Sequence, residues 1–192
     1  TVCYSIDMAY RTITIHWLPQ SQRQWETFTA ARLDAGRLWT RLVKLHHRIR
    51  SRNWPWPTKQ RLQQWAKGKF PHLHSQSVQQ IIADFCEAVH SARQLRQNGH
   101  PDARYPWRYC RYRDIIFTNQ GATLKRNRVR LPCGKAGVLF IPLPVSLPGR
   151  LMEARLAYGE LQLVCEVPDE AKSPHTTIGI DLGVNTLIAA TD

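Results

Sequence analysis

The chain has 192 residues, with 27 Lys and Arg against 14 Asp and Glu, giving a net charge of +13. Its 43% hydrophobic content suffices for a core, but there is no run of about 18 apolar residues and no charged segment leading into an apolar one, which argues against a membrane span or a secretory leader. The basic excess calls for a polyanionic partner, of which nucleic acid is the commonest, and a generally basic protein without such a partner is the alternative.

Met8 reads as a natural start, which makes residues 1–7 upstream sequence. Tyr10 to Trp17 (YRTITIHW) alternates and predicts a β-strand, broken by Pro19. Ser21 with Gln24 three residues on forms a capping box and announces a helix. The apolar stripe of that helix is Phe28, Ala31, Ala35, Leu38, Leu42, Leu45 and Ile49. Its other faces carry Arg32, Arg37, Arg41, Lys44, Arg48 and Arg50, against Glu26 and Asp34. An apolar stripe backed by a basic face suits a helix lying along a phosphate backbone; a merely solvated face is the bland alternative.

The prolines of Asn53–Pro57 (NWPWP) interrupt the helix, because proline removes a donor and clashes with the preceding turn. A short helix from Thr58 to Ala66 ends at Gly68, and a longer one runs from Ser75 to Gln97. The stripe of the longer helix is Val78, Ile81, Ile82, Phe85, Val89 and Ala92, with Asn98-Gly99 as the stop. Residues 20–99 therefore predict a small helical bundle.

From Pro101 the texture changes to short strands and turns. Residues 104–135 carry Arg104, Arg108, Arg111, Arg113, Lys125, Arg126, Arg128, Arg130 and Lys135 against Asp114 alone, and Tyr105, Trp107, Tyr109 and Tyr112 interleave with the first four arginines. Rings can stack on unpaired bases while arginines neutralise phosphates, so the pattern suits single-stranded or structured RNA; part of the aromatic set would otherwise be core. Strands are predicted at Ile115–Thr118, Arg128–Leu131, Val138–Leu143, Met152–Ala157 and Leu161–Val167, with turns at Asn119-Gln120-Gly121 and Tyr158-Gly159-Glu160. They imply an antiparallel barrel or sandwich that the early strand joins, leaving residues 20–99 as an insertion.

Five cysteines (Cys3, Cys86, Cys110, Cys133, Cys165) lack any CxxC pair, which fits a reducing, cytoplasmic compartment and offers no zinc site. The histidines of His46-His47 and His72-Leu73-His74 have no cysteine or carboxylate at ligand spacing, so they read as exposed or phosphate-contacting. After the polar linker PDEAKSP (Pro168–Pro174), Thr176–Asp192 reads TTIGIDLGVNTLIAATD, an apolar strand, a glycine turn and a second apolar run, hence a β-hairpin. Asp181 stands in it where a buried strand would take an apolar residue, and a buried carboxylate is costly unless paired or bound to a metal.

The closing IGIDLGVNTLIAATD is similar to the first RuvC motif of TnpB, the RNA-guided nuclease of a family of bacterial insertion sequences, and of its descendants, the type V CRISPR effectors. Other segments agree in order: HSQSVQQIIADF (His74–Phe85) resembles that family's serine-glutamine helix, IIFTNQGATLKRNRVRLP (Ile115–Pro132) its strand-turn-strand, and ELQLVCEVP (Glu160–Pro168) the strand before the RuvC linker. The resemblance covers residues 8–192. It implies an α+β fold in which an antiparallel wedge-type β-barrel (first strand in 1–19, remainder in 101–168) is interrupted by a helical recognition lobe (20–100). A linker and the first β-hairpin of an RNase H-like RuvC domain (169–192) follow.

The implied partners are guide RNA and target double-stranded DNA, with no membrane. The protein reads shape and backbone while base pairing reads sequence. Contacts are expected at Arg37, Arg41, Lys44 and Arg48 on the helix, at Arg104, Tyr105, Trp107, Arg108, Arg111 and Arg113, and at Lys125, Arg126, Arg128 and Arg130. Asp181 matches the family's first catalytic carboxylate, a ligand for Mg²⁺ in two-metal hydrolysis. One carboxylate cannot hold two ions, and nothing identifies Asp192 as a partner. The chain by itself is thus expected to be inactive, its site completed by a C-terminal half or by self-association. Two further readings remain: a nuclease-inactive, RNA-guided DNA-binding protein, and a module that only binds RNA. IGIDLGVNT also resembles the phosphate hairpin of actin-like ATPases, which opens its domain near the chain start and lacks a basic preamble.

Overall fold

The computed structural model describes residues 8–168, 179–181 and 189–191. Residues 10–167 form a large compact unit, and the described residues 179–181 and 189–191 belong to a separate small one. Up to residue 168 the elements run β1 (Met8–His16), α1 (Gln22–Ser51), α2 (Lys59–Ala66), α3 (Ser75–Gln97), β2 (Ile115–Thr118), β3 (Thr123–Lys125), β4 (Arg128–Pro132), β5 (Val138–Pro142), β6 (Arg150–Leu156) and β7 (Glu160–Pro168). The small unit holds the hairpin of β8 (Gly179–Asp181) and β9 (Ala189–Thr191).

The fold is α+β with antiparallel sheets. One sheet has the order β1-β7-β6-β2 and another β3-β4-β5, and among the described residues the strands do not close into a barrel. β1 lies beside β7, so the chain leaves this sheet after its first strand, builds the helices, and returns. Helices and sheets nonetheless share one core: Phe28, Leu38 and Leu42 of α1 and Ile81 and Phe85 of α3 join Phe117, Leu131, Ile141 and Leu163 of the strands. No described helix is long and apolar enough to cross a membrane.

Local chemistry sets the helix ends. The Ser21 hydroxyl accepts from the Gln24 amide (3.3 Å), and the Gln24 side chain accepts from the Gln20 amide (2.7 Å). α1 ends with Asn53 at φ +50°, where the Asn53 and Trp54 amides donate back to Arg50 and Ile49 (3.2 and 3.0 Å). That is a Schellman closure with asparagine in the left-handed position. α3 ends the same way with Gly99 at φ +89° and the His100 amide donating to Leu95 (3.0 Å).

The buried side of α1 is wider than the apolar stripe, because sheet residues, α3 and an extended segment all pack on it. Val43 and His46 are buried while Leu45 is only half-buried. Arg32 departs from its expected place on the basic face. One turn beyond Phe28, it falls at the edge of the buried stripe, with its side chain only 13% exposed. It lies over the rings of Phe28, Tyr158 and Tyr112 (5.2, 5.7 and 6.0 Å) and pairs with Asp114 at 3.5 Å. Asp34, also buried, ties α1 to the turn before α3: it accepts from the His72 amide (3.1 Å) and contacts the His72 ring (3.0 Å).

The strand β3 is not among the strands predicted from sequence. It is three exposed residues long, without apolar alternation, and its turn to β4 is Arg126-Asn127 with no glycine. Asn127 anchors the turn, its side-chain amide donating to the Leu143 carbonyl at 2.8 Å.

Candidate nucleic-acid interface

The interleaved segment 104–113 forms no strand. It runs antiparallel along α1: Tyr105 packs on His46, Trp39 donates its indole N–H to the Arg108 carbonyl (3.2 Å), and the Thr40 hydroxyl both donates to the Cys110 carbonyl and accepts from the Cys110 amide (3.0 Å each). The Arg113 amide donates to the Arg32 carbonyl at 3.2 Å. The lengths agree, since an extended chain from Tyr105 to Arg113 spans about 26 Å and the helix from Arg32 to Arg50 about 27 Å. Gly36 permits this approach, because a Cβ there would lie 2.3 Å from the Arg111 carbonyl oxygen. The pairing of segment with helix creates two neighbouring depressions.

The first, about 330 Å³, gathers Arg37, Arg41, Lys44 and Arg111 around Thr40 and Cys110. Arg37 keeps a 3.4 Å contact to the buried Asp34 carboxylate, and Arg41 lies over the Phe70 ring at 5.5 Å. Four cations converging on one hollow are a field for anionic oxygens.

The second, about 380 Å³, is lined by Tyr105, Trp107 and Tyr109 together with Arg50, Arg96 and Arg104. Tyr105 is held between the Arg50 and Arg96 guanidiniums (4.3 and 5.7 Å). Trp107 and Tyr109 are 58% and 64% exposed, each with a cation over its ring, Arg108 at 5.3 Å and Lys44 at 5.4 Å. Lys44 also lines the first hollow, so the two adjoin at the Lys44–Tyr109 contact.

His46 corrects the expectation of an exposed histidine. It is buried against Trp56, Tyr105 and Phe85, and burial, with Arg50, Arg93 and His47 nearby, lowers its pKa to about 4. An imidazole so placed is a neutral floor at physiological pH. His47 is exposed beside the same hollow.

Not every expected residue joins these hollows. Arg48 is exposed and lines neither, and Arg108 reaches them only through the Trp107 ring. Arg113 lies 3.7 Å from the centroid of the Trp39 ring, partly buried, and burial lowers its pKa. It serves the packing of the segment against α1. Conversely, Arg50, Arg96 and His47 belong to the second hollow without being among the contacts expected from sequence. Arg50 and His47 stand on a face already marked as basic, whereas nothing local marks Arg96 on α3.

Lys125, Arg126, Arg128 and Arg130 sit apart, on the β3–β4–β5 sheet. Directly opposed residues share a face: Arg130 is opposite Phe140, and Arg128 is opposite Lys125 and Pro142, while Val129, Leu131, Leu139 and Ile141 form the buried side. Lys125, Arg126, Arg128 and the exposed Phe140 bound a hollow of about 550 Å³.

Asp181 lies in β8, opposite Ala189 of β9, within the expected hairpin; its side chain is outside the described residues. A carboxylate is the right donor type for Mg²⁺, but one alone does not complete a two-ion site. Among the described residues no group of three His, Cys, Asp or Glu side chains comes together to hold a metal. Comparison with models of protein families and with curated proteins returns no match.

Proposed function

We propose that the chain binds nucleic acid through the groove between α1 and the 104–113 segment. The observation that carries this reading is the convergence of Arg37, Arg41, Lys44 and Arg111 on one hollow, next to a second hollow lined by rings. These cations come from two stretches of sequence about 70 residues apart, and Gly36 lets them meet. A merely solvated basic surface has no need of such a juncture.

Within that reading, we infer that the chain is the guide-RNA- and target-DNA-binding half of an RNA-guided, Mg²⁺-dependent DNA endonuclease of the TnpB and type V CRISPR kind. Its support is the ordered sequence resemblance, the return of the chain to β1's sheet after the helices, and the hairpin carrying Asp181. The wedge-type barrel, the recognition lobe and the RuvC assignment belong to this proposal. So do the Mg²⁺ ions, which would supply an activated water and charge neutralisation at the scissile phosphate.

The test of binding is anisotropy of a labelled RNA titrated with the chain over a range of salt. Each phosphate contact on a single strand contributes a slope of about −0.7 in log affinity against log salt. Arg37→Ala/Arg41→Ala/Lys44→Ala should flatten that slope by about 2; unchanged affinity and slope would remove the groove from the interface. The endonuclease reading is tested in the full-length gene product by guided cleavage with and without Asp181→Ala. Equal cutting by the variant would rule out the role of that carboxylate.

A further inference from the structure

We propose that the second hollow is a pocket for one unpaired nucleobase, so that the groove takes a single strand with a base splayed out rather than an intact duplex. This rests on the binding reading above and sharpens which nucleic acid the groove accepts. The two hollows differ in chemistry: the first holds Arg37, Arg41, Lys44 and Arg111 with no ring among its lining residues, and the second sets Tyr105, Trp107 and Tyr109 among Arg50, Arg96 and Arg104. A backbone passing the first needs charge, while a ring-lined wall is useful only to a planar, desolvated group. A duplex keeps its base faces stacked and offers only edges and backbone, so such a wall has nothing to stack on unless a base leaves the helix.

The rings are prepared for that task. A cation lies over the ring of Trp107 and another over that of Tyr109, and both rings remain more than half exposed. Tyr105, clamped by Arg50 and Arg96, forms the wall behind them. The neutral His46 beneath lets an uncharged base enter without facing a buried positive charge. The hollow's volume, about 380 Å³, is ample for a single base. Because Lys44 faces the first hollow and stacks on a ring of the second at 5.4 Å, phosphate and base sites are adjacent, as they are in one nucleotide.

The experiment compares a short single-stranded RNA, a DNA of the same sequence and a blunt RNA duplex, by anisotropy at several salt concentrations. The proteins are the unaltered chain, Trp107→Ala, Tyr109→Ala and Arg41→Ala/Lys44→Ala, with thermal melts to confirm that the exposed ring positions leave the fold intact. Each ring variant should weaken single-strand binding by about 5-fold or more, leaving duplex binding and the salt slope as they were. Equal losses on RNA and DNA assign the pocket to the base itself, and a loss confined to RNA adds a contact to the 2′-hydroxyl; both support it. Arg41→Ala/Lys44→Ala should flatten the single-strand slope by about 1.4. If the ring variants bind single strands normally, or lose duplex affinity equally, while the cation variant weakens binding, the pocket is wrong and the groove stands. If no variant changes anything, the binding reading itself fails.

Discussion

The two basic regions of this protein look alike as strings of residues and differ in three dimensions. In the groove along α1, cations are stacked on rings: Arg50 and Arg96 on Tyr105, Lys44 on Tyr109, Arg108 on Trp107. On the β3–β4–β5 face, Lys125, Arg126 and Arg128 are exposed and flank Phe140 around a hollow with no cation over a ring. The first region has its charges positioned before any ligand arrives, which lowers the ordering cost of binding. The second supplies a solvated field that salt screens within about a Debye length of roughly 8–10 Å. Positive charge alone thus does not make the two equivalent.

The groove depends most on Gly36. Gly36→Ala places a methyl against the Arg111 and Cys110 carbonyls, so the 104–113 segment must lift from α1. We expect a net loss of about 1–3 kcal/mol or more in urea denaturation, although alanine favours a helix by about 1 kcal/mol. Groove-dependent RNA binding should fall with it; a more stable variant would refute the close approach.

A pH series probes the floor of the groove. Folded His46 titrates near 4, whereas an unfolded histidine titrates near about 6.5. Between these values the unfolded chain binds more protons, so stability rises with pH. The contribution is fully present above about 6.5 and is lost as pH falls through about 4, amounting to about 2 kcal/mol once solvent screening is allowed for. Denaturation from pH 4 to pH 7 should show this rise, and His46→Gln should flatten it.

Arg113 separates packing from binding within the groove. Arg113→Ala removes the stack on Trp39 and should cost about 0.5–2 kcal/mol of stability, with RNA affinity nearly unchanged at temperatures where the variant is folded. A large loss of affinity without loss of stability would instead make Arg113 a ligand contact.

The smallest effect is expected on the sheet. Arg126→Ala should lower RNA affinity no more than about 3-fold and flatten the salt slope by about 0.7. If it equals the loss from the groove variants, the distinction between positioned and solvated charge falls.

Much of the scaffold was legible in the sequence. The helix limits at Ser75 and Gln97, the Ser21 cap, the Asn98-Gly99 stop and β2 all follow from local signals. β3 and its glycine-free turn were not, because three exposed residues carry no periodicity. The aromatic set divided as no local pattern could tell: Tyr105 is packed between guanidiniums, whereas Trp107 and Tyr109 stay exposed. His46, expected to be exposed, is buried because α1 is covered on more sides than its stripe of aliphatic residues suggests.

By itself, the sequence determined every element of the large unit but β3, the basic character and the placing of Asp181 in a hairpin strand, since caps, periodicity and composition act over a few residues. Only the tertiary structure decided which arginines are free for a ligand. Arg32, Arg37 and Arg113 are the same chemical group, yet one is caged by rings, one lines a hollow, and one lies over an indole. That difference arises from neighbours distant in sequence, brought together where Gly36 lets an extended segment lie against a helix.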